Sequence, residues 1–298
     1  MTKLYIDNTN ISDLHYCDYL SVITIKIPEP IHNYRVLNKF ANLQELFLYD
    51  NQLIEIKGLN NLINLQKLYL WNNKITKIKG LYKLINLQTL NFHNNKISEL
   101  KGLNKLICLE TLNLCKNQIT QIKGLDNLVN LIDLDLCNNK ITEIKGFDKL
   151  INLRILKLNR NQIIEIKGLK KLKGLHKLDL SDNQITEIKD IDNLINLQVL
   201  NLSNNLITEI KRLDNLINLK ELYLNNNQIT EIKELDNLVN LQRLSLSNNH
   251  IKDIPISLCN LKNIIFIFFC NNPIEHISLP VQRWLDKINI VYNDNQNI

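Results

Sequence analysis

The sequence predicts an α/β solenoid, a fold in which short and similar lengths of chain stack on one another. Three observations predict it. Apolar residues recur in units of 22 residues, an asparagine recurs at one place in each unit, and the spacing of the apolar residues within a unit changes from two to three. Regular repetition of this length is typical of architectures in which each unit buries its core only against its neighbours.

The repeats span residues 43–274. Each reads LxxLxLxxNx(I/L) followed by xx(I/L)xx(L/I/F)xxL, and we number the positions of a repeat as slots, with slot 1 at the opening residue. Leucine opens ten repeats, and isoleucine opens an eleventh after one extra residue: Leu43, Leu65, Leu87, Leu109, Leu131, Leu153, Leu175, Leu197, Leu219, Leu241 and Ile264.

Two local structures follow from the apolar spacing within one repeat. In residues 87–108 the first apolar positions are two or three apart, and the later ones are three apart: Leu87, Leu90, Phe92, Ile97, Leu100, Leu103 and Leu106. A period near two indicates a strand, and a period near three indicates tight turns of the 3-10 type. Each repeat is therefore predicted to contain a short strand followed by 3-10 or helical turns.

An asparagine occupies slot 9 of every repeat. A buried turn leaves backbone N–H and C=O groups without partners, and an amide side chain can donate and accept at once. We therefore predict a structural ladder of asparagines and no catalytic role for them: Asn51, Asn73, Asn95, Asn117, Asn139, Asn161, Asn183, Asn205, Asn227, Asn249 and Asn272.

The two ends depart from the repeat. Residues 1–42 keep fragments of the pattern and are predicted to be one or two degenerate repeats that form an N-terminal cap. Residues 275–298 are predicted to be a C-terminal cap, with a short helix after Pro280 that places Trp284 and Leu285 over the last exposed core. Together with the repeats they are predicted to form one continuous domain.

The repeat LxxLxLxxNxIxxIxxLxxL resembles the leucine-rich repeat, and its 22-residue length is similar to that of the Sds22-like and internalin-like subclass. The resemblance implies a right-handed, curved superhelix with a parallel β-sheet on the concave face and short turns on the convex face. It also implies protein binding. Similar Asn- and Ile-rich repeat proteins occur in large DNA viruses of amoebae, which makes a viral origin a further expectation from the resemblance.

Six cysteines without a CxxC motif, and the absence of an apparent signal peptide or apolar membrane span, favour a reducing, cytoplasmic location. Cys115 and Cys137 occupy slot 7 of neighbouring repeats, which would place them within about 5 Å of each other if the repeats pair as strands. A disulfide or a metal site is one interpretation of this pair. We favour two surface thiols.

Charge does not favour nucleic acid as a partner. The formal net charge is +6, but the slots predicted to face outward from the strands carry both signs. A basic stripe would be needed to neutralise phosphates. Acidic and basic residues alternate on this face: Glu45, Asp50, Glu110, Asp133, Asp135, Asp179, Asp182 and Glu221 against Lys67, Lys116, Arg154, Lys157, Arg160, Lys177, Lys220 and Arg243.

Aromatic residues are concentrated at the two ends of the predicted concave face. Trp and Tyr are frequent anchors of binding interfaces, and exposed rings in a cluster indicate that something covers them. We predict partner-binding residues in an N-terminal group and a C-terminal group; the alternative is that the caps cover the rings. The groups are Phe47, Tyr49, Tyr69, Trp71 and His93, and Tyr223, Arg243, Phe266 and Phe268.

The sequence thus predicts a non-enzymatic, monomeric scaffold that binds a protein partner on its concave face. Motifs typical of hydrolases, metalloproteases and phosphate-binding loops are absent from it. We expect no cofactor, no metal, no nucleic acid and no membrane partner. The alternative function is a solenoid that binds nucleic acid or a small ligand.

Overall fold

The computed structural model describes residues 3–6, 21–25, 40 and 42–291. The chain divides into two compact units. Unit 1 consists of Met1–Ile141 with Lys145–Leu153, and unit 2 consists of Thr142–Ile144 with Arg154–Ile298.

Unit 1 is a parallel solenoid. Its strands pair with one another in parallel and in chain order. From β3 onward the paired residues are 22 apart, so slot 3 faces slot 3. Its strands are β1 (Lys3–Ile6), β2 (Val22–Ile25), β3 (Glu45–Phe47), β4 (Lys67–Tyr69), β5 (Thr89–Asn91), β6 (Thr111–Asn113) and β7 (Asp133–Asp135).

Unit 2 repeats the same architecture and adds two short helices near its C-terminal end. Its strands also pair in parallel in chain order. They are β8 (Ile155–Lys157), β9 (Lys177–Asp179), β10 (Val199–Asn201), β11 (Glu221–Tyr223), β12 (Arg243–Ser245), β13 (Phe266–Phe268) and β14 (Asn289–Val291). The helices are a 3-10 helix (Ile256–Asn260) and α1 (Leu279–Leu285).

Burial follows the two spacings read from the sequence. In residues 87–108 all seven predicted apolar side chains are buried, and in strand β5 the central Leu90 is buried between two half-buried neighbours. The later part of the repeat turns tightly, because the N–H of Leu106 donates to the oxygen of Leu103 (2.9 Å) and that of Leu109 to Leu106 (3.1 Å). The predicted solenoid of short strands and 3-10-type turns is confirmed.

The asparagine ladder is also confirmed. The Asn95 Oδ1 accepts a hydrogen bond from the N–H of Ile75 (3.0 Å), and its Nδ2 donates to the oxygens of Leu70 (2.9 Å) and Phe92 (3.1 Å). One side chain therefore joins two successive repeats. It supplies partners to backbone groups that the strands do not pair, and it is itself buried.

Two slots adopt the left-handed backbone conformation. Slot 8, predicted from sequence only as an outward-facing position, has φ near +55° in the repeats of both units, as at Asn72 and Asn204. Asparagine tolerates this conformation better than most residues do, which explains why it is common there. Slot 16 is also left-handed; it is glycine up to Gly168 and then Asp190, Arg212 and Glu234.

Glutamate in slot 13 and lysine in slot 15 form exposed ion pairs along the turns. Lys101 Nζ lies 2.8 Å from Glu99 Oε2, and Lys189 Nζ lies 2.8 Å from Glu187 Oε2. The hydrogen bond from Lys101 lowers the pKa of Glu99. A lowered folded-state pKa means that this pair stabilises the fold at neutral pH and stops doing so as the pH falls through that pKa. The same pairing joins Lys57–Glu55, Lys167–Glu165, Lys211–Glu209 and Lys233–Glu231.

We expect Glu99→Gln to change the melting temperature by less than about 2 °C, because exposed ion pairs contribute little to stability. Differential scanning calorimetry at neutral pH measures this. Raising the salt concentration should leave the difference between variant and wild type small. A larger shift that salt abolishes would mean that the charged columns stabilise the solenoid.

The C-terminal end contains the predicted helix after Pro280, as part of α1. Val281 and Leu285 are buried, whereas Trp284 is only half-buried. Leu285 is thus buried in the helix that was predicted for it, and Val281 is buried beside it. The predicted role of Trp284 and Leu285 as a cover for the last core stays a prediction. In the N-terminal segment β1 and β2 extend the sheet beside β3; the other residues of the predicted N-terminal cap, apart from Ser21, Phe40 and Asn42, lie outside the described part. The three predicted boundaries stay a prediction.

Candidate functional site

The candidate site is the exposed face of the strands, which we call the strand face. In most strands the first and third residues, slots 3 and 5, are half-buried and the residue between them is buried. Slot 7, just after the strand, is also half-buried in most repeats. Within each unit, the side chains of one slot form a column that runs from strand to strand. A partner would therefore meet three parallel columns, one for each slot.

Four aromatic rings in unit 1 lie in two stacked pairs on the strand face. Phe47 and Tyr69 in slot 5 have ring centroids 4.5 Å apart and planes within 7°. Tyr49 and Trp71 in slot 7 have centroids 4.2 Å apart and planes within 2°. The pairs meet edge to face, with centroids 5.8 Å apart for Tyr69 and Trp71 and 6.4 Å for Phe47 and Tyr49. We call these four residues the ring cluster.

The ring cluster has an ion pair beside it. Lys67 Nζ donates to Glu45 Oε1 at 2.8 Å, and this hydrogen bond raises the pKa of Lys67. Burial raises the pKa of Tyr69. Its hydroxyl is protonated at neutral pH, as in any tyrosine, and can donate a hydrogen bond. The two charges of the pair cancel, and the ring cluster therefore presents a neutral, amphipathic surface.

His93 continues the column of slot 7 after Trp71. The backbone places it there, because the Asn72 N–H donates to the His93 oxygen (2.9 Å) and the His93 N–H donates to Asn91 Oδ1 (2.9 Å). The sequence prediction grouped His93 with the rings. The structure places it half-buried at the border of the ring cluster, in the repeat that follows that of Trp71.

The C-terminal group lies on the strand face of unit 2. The Arg243 guanidinium stands over the Phe266 ring, 5.0 Å from its centroid, and Tyr223 donates its hydroxyl to Glu221 Oε2 (2.7 Å). Burial, and next the hydrogen bond to Glu221, raise the pKa of Tyr223. Phe268 occupies slot 5 beside Ser245 in the sheet. Glu221 and Arg243 are paired in register on neighbouring strands, so this group, like the ring cluster, has one charge of each sign beside its aromatic surface.

Cys115 and Cys137 form a disulfide, with Cα atoms 4.5 Å apart. The favoured interpretation of two separate surface thiols is therefore wrong. Parallel pairing of β6 and β7 brings slot 7 of one repeat beside slot 7 of the next, which is close enough for the bond. Among the described residues the other cysteines, Cys108, Cys259 and Cys270, are not in disulfides.

A second ladder of asparagines was not anticipated from the sequence. In slot 22, Asn86 Nδ2 donates to the oxygen of Ile63 (2.9 Å) and Asn130 Nδ2 to that of Ile107 (2.9 Å), and Asn196 and Asn218 repeat the contact in unit 2. The recurrence of asparagine before the opening leucine was the available signal. In unit 1 this ladder borders a groove of about 640 Å³, lined by Ser21, Asn42, Gln44, Asn64, Gln66, Asn86, Gln88 and Cys108.

The described helices include none that is long and apolar enough to cross a membrane.

Known protein families share the repeat of this chain. The family described as Leucine Rich repeats (2 copies) matches residues 41–83, 63–105, 85–127, 109–150, 129–171, 151–195 and 195–237. The family described as Leucine Rich Repeat matches residues 240–261. No curated protein sequence matches the chain.

Solved structures with the same fold come from different organisms. An internalin, InlF, from Listeria monocytogenes is 26% identical with a TM-score of 0.86, over 100% of this chain and 88% of that one. A leucine-rich repeat protein of Leptospira interrogans is 27% identical with a TM-score of 0.64, over 98% and 90%. The plant peptide hormone receptor RGFR1, solved in complex with RGF2, is 23% identical with a TM-score of 0.74, over 93% and 48%.

The family matches run through residues 41–237 and 240–261, well over half of the chain, and the slots of the repeat agree with the buried core and the asparagine ladder. None of these matches tests the predicted viral origin, which stays a prediction. The chain belongs to the leucine-rich repeat family, in the class with repeats of about 22 residues.

Proposed function

We propose that this protein is a non-enzymatic scaffold that binds a protein partner on its strand face, the face predicted to be concave, with the ring cluster as the anchor. The observation that carries the proposal is the pair of stacks formed by Phe47 with Tyr69 and by Tyr49 with Trp71 on an exposed sheet face. The leucine-rich repeat fold is itself a protein-interaction scaffold, and the RGFR1 structure contains RGF2.

Stacking suits these rings to an anchoring role. Each ring is held by its neighbour in the next strand and by an edge-to-face contact within its own repeat, so little side-chain freedom remains to be lost on binding. One face of each ring in a pair is covered by the other ring. A partner would therefore meet ring edges and the outer faces, to which apolar side chains and carbonyl oxygens are complementary.

The chemistry of the ring cluster indicates the kind of partner. The cluster is neutral, since Glu45 and Lys67 neutralise each other beside it. We infer that the contacting segment of the partner is apolar or aromatic. A second contact region would be formed by the C-terminal group, Tyr223, Arg243, Phe266 and Phe268. Its aromatic surface suits an apolar or aromatic segment of the partner as well, because Glu221 faces Arg243 across the strands.

Nucleic acid or a small ligand is the alternative. Alternating charges on the strand face disfavour phosphate binding. The amide-lined groove of about 640 Å³ in unit 1 is the observation that favours a small, uncharged polar ligand. It involves neither the ring cluster nor His93, so variants of the rings separate the two functions.

The proposal is tested by capturing partners from the native source with a photo-crosslinker in slot 7 and then measuring the identified partner by isothermal titration calorimetry. We expect Tyr49→Ala with Trp71→Ala to weaken binding by about tenfold or more, because central aromatic anchors carry most of the affinity of an interface. Light scattering of the protein alone measures its molar mass in solution, and we expect the mass of a monomer.

Tyr82→Ala is the matched control. It removes an aromatic ring of the same kind from the turn side, where Tyr82 is 56% exposed, and should leave the affinity unchanged. Equal affinity of the double variant and the wild type would remove the anchor. Salt-sensitive binding of generic duplex DNA, with no protein partner captured, would favour the alternative instead.

A cytoplasmic location stays a prediction. In a reducing compartment the pair Cys115 and Cys137 would be held as thiols, whereas an oxidising compartment would keep the disulfide of the structure. The redox state of the pair in protein trapped with an alkylating reagent at lysis distinguishes the two locations.

A further inference from the structure

Three side chains with metal-binding atoms meet in unit 1, away from the ring cluster. The sulfurs of Cys115 and Cys137 and a carboxylate oxygen of Asp135 all lie within 4.8 Å of one another. Asp135 is in slot 5 of the repeat that contributes Cys137, and it is nine-tenths buried. Two sulfurs and one oxygen at such separations form a donor set of the kind that binds zinc.

The backbone directs Asp135 toward the cysteines. Asp135 Oδ1 accepts the N–H of Cys137 at 3.0 Å, and the same contact between slots 5 and 7 recurs in other repeats, from Cys115 to Asn113 (2.9 Å) and from Ser181 to Asp179 (3.1 Å). In the last of these the slot 7 side chain also reaches the slot 5 oxygen, since Ser181 Oγ donates to Asp179 Oδ1 at 2.7 Å. Slot 5 and slot 7 side chains therefore meet as a property of the repeat.

The combination of residues is particular to this place in unit 1. The two preceding repeats carry Asn91 and Asn113 in slot 5, where an amide replaces the carboxylate. Only a carboxylate there adds an anionic oxygen to the two sulfurs. Parallel pairing keeps the two slot 7 positions one strand apart, so the sulfurs remain neighbours whether or not they are bonded.

We propose that Cys115, Cys137 and Asp135 form a redox-gated site for a thiophilic divalent cation such as Zn²⁺. The disulfide closes the site. A dithiol opens it by thiol–disulfide exchange: the dithiol is oxidised to its own disulfide and its two protons end on the two cysteine thiols. A phosphine opens it with one water molecule: the phosphine becomes its oxide, and the two protons of the water end on the two thiols. The cation then displaces those two protons, binds both thiolates and the Asp135 carboxylate, and keeps one position for water.

The test uses Cd²⁺ as a spectroscopic probe on the full chain, reduced with a phosphine and then freed of reductant without oxygen. We expect one Cd²⁺ per chain with an ultraviolet thiolate-to-metal charge-transfer band, and no band in the oxidised protein. Competition with a chromophoric chelator measures Zn²⁺ on the same samples. Absence of the band after reduction, or an equal band in the oxidised protein, would overturn the proposal.

Variants assign the ligands. Cys137→Ser should abolish the band, and it should fold, because serine occupies slot 7 in other repeats, as at Ser181 and Ser203. Asp135→Asn keeps the backbone contact and should weaken Zn²⁺ binding by about tenfold or more. The matched control replaces the four other cysteines, Cys17, Cys108, Cys259 and Cys270, by serine and should keep the band. A band that survives in Cys137→Ser, unchanged Zn²⁺ affinity in Asp135→Asn, or loss of the band in the control would each contradict the assignment.

Discussion

Replacing Asn95 by alanine is expected to lower the free energy of unfolding by about 3 kcal/mol or more, because it leaves several buried backbone groups without partners. The N–H of Ile75 and the oxygens of Leu70 and Phe92 all lose a hydrogen bond at once. Water cannot replace the amide readily, since Asn95 is buried. Urea unfolding followed by circular dichroism measures the loss.

Asn86→Ala is the control for the loss of an asparagine. Asn86 lies in the second ladder, is exposed, and donates a hydrogen bond to the oxygen of Ile63. Its removal should cost less than about 1 kcal/mol, because water can hydrate the freed carbonyl. If the two variants were equally stable, the slot 9 asparagines would not be the structural element that the repeat requires. A change in the slope of the urea transition would show instead that the repeats no longer unfold together.

Gly102→Ala is expected to destabilise the protein by about 3 kcal/mol. Gly102 has φ +100°, and a Cβ placed on it would lie 2.1 Å from the backbone oxygen of Ile78 in the preceding repeat. A non-glycine residue pays about 1–2 kcal/mol for a left-handed conformation, and relief of the contact requires the backbone to move in a stacked array. Thermal and urea unfolding report the change.

Gly124→Ala is the matched control in the same slot. Its Cβ would lie 3.0 Å from the oxygen of Leu100, so it should cost clearly less than Gly102→Ala. In later repeats Arg212 and Glu234 take this slot with φ of 61° and 57°, which shows that a side chain fits when φ is smaller. If both alanine variants lowered the free energy of unfolding equally, the left-handed conformation would be the cause of the loss, and the close backbone oxygen would not.

Much of the fold was predictable because the same apolar spacing and the same asparagine recur in every repeat. The change of apolar spacing in residues 87–108 predicted a strand and 3-10 turns, and the invariant Asn95 slot predicted the ladder. The backbone conformation of slot 8 was not predicted from the sequence. Asn72 looks like an exposed polar residue in sequence, while its role is to adopt φ of 55° at the end of the strand.

The candidate site was predictable in position but not in contact. Slots 5 and 7 were expected to carry the four rings on one face, yet which rings stack is decided by side-chain rotamers across two strands. The disulfide was missed for the same reason, since equal slots place Cys115 and Cys137 near each other without stating that they bond. The burial of Val281 was not anticipated, because a seven-residue helix is too short for its apolar spacing to show which side faces the core.

By itself the sequence determined the repeat length, the buried slots, the strand and turn of each repeat and the asparagine ladder, because these depend on local spacing that recurs in every repeat. Only the tertiary structure decided which side chains of neighbouring repeats touch: the ring stacks, the bond between Cys115 and Cys137, and the approach of Asp135 to it. The contact between Asp135 and Cys137 lies within one repeat. The other contacts join residues 20 or more positions apart, and their distances depend on strand register and rotamer, which no single repeat encodes.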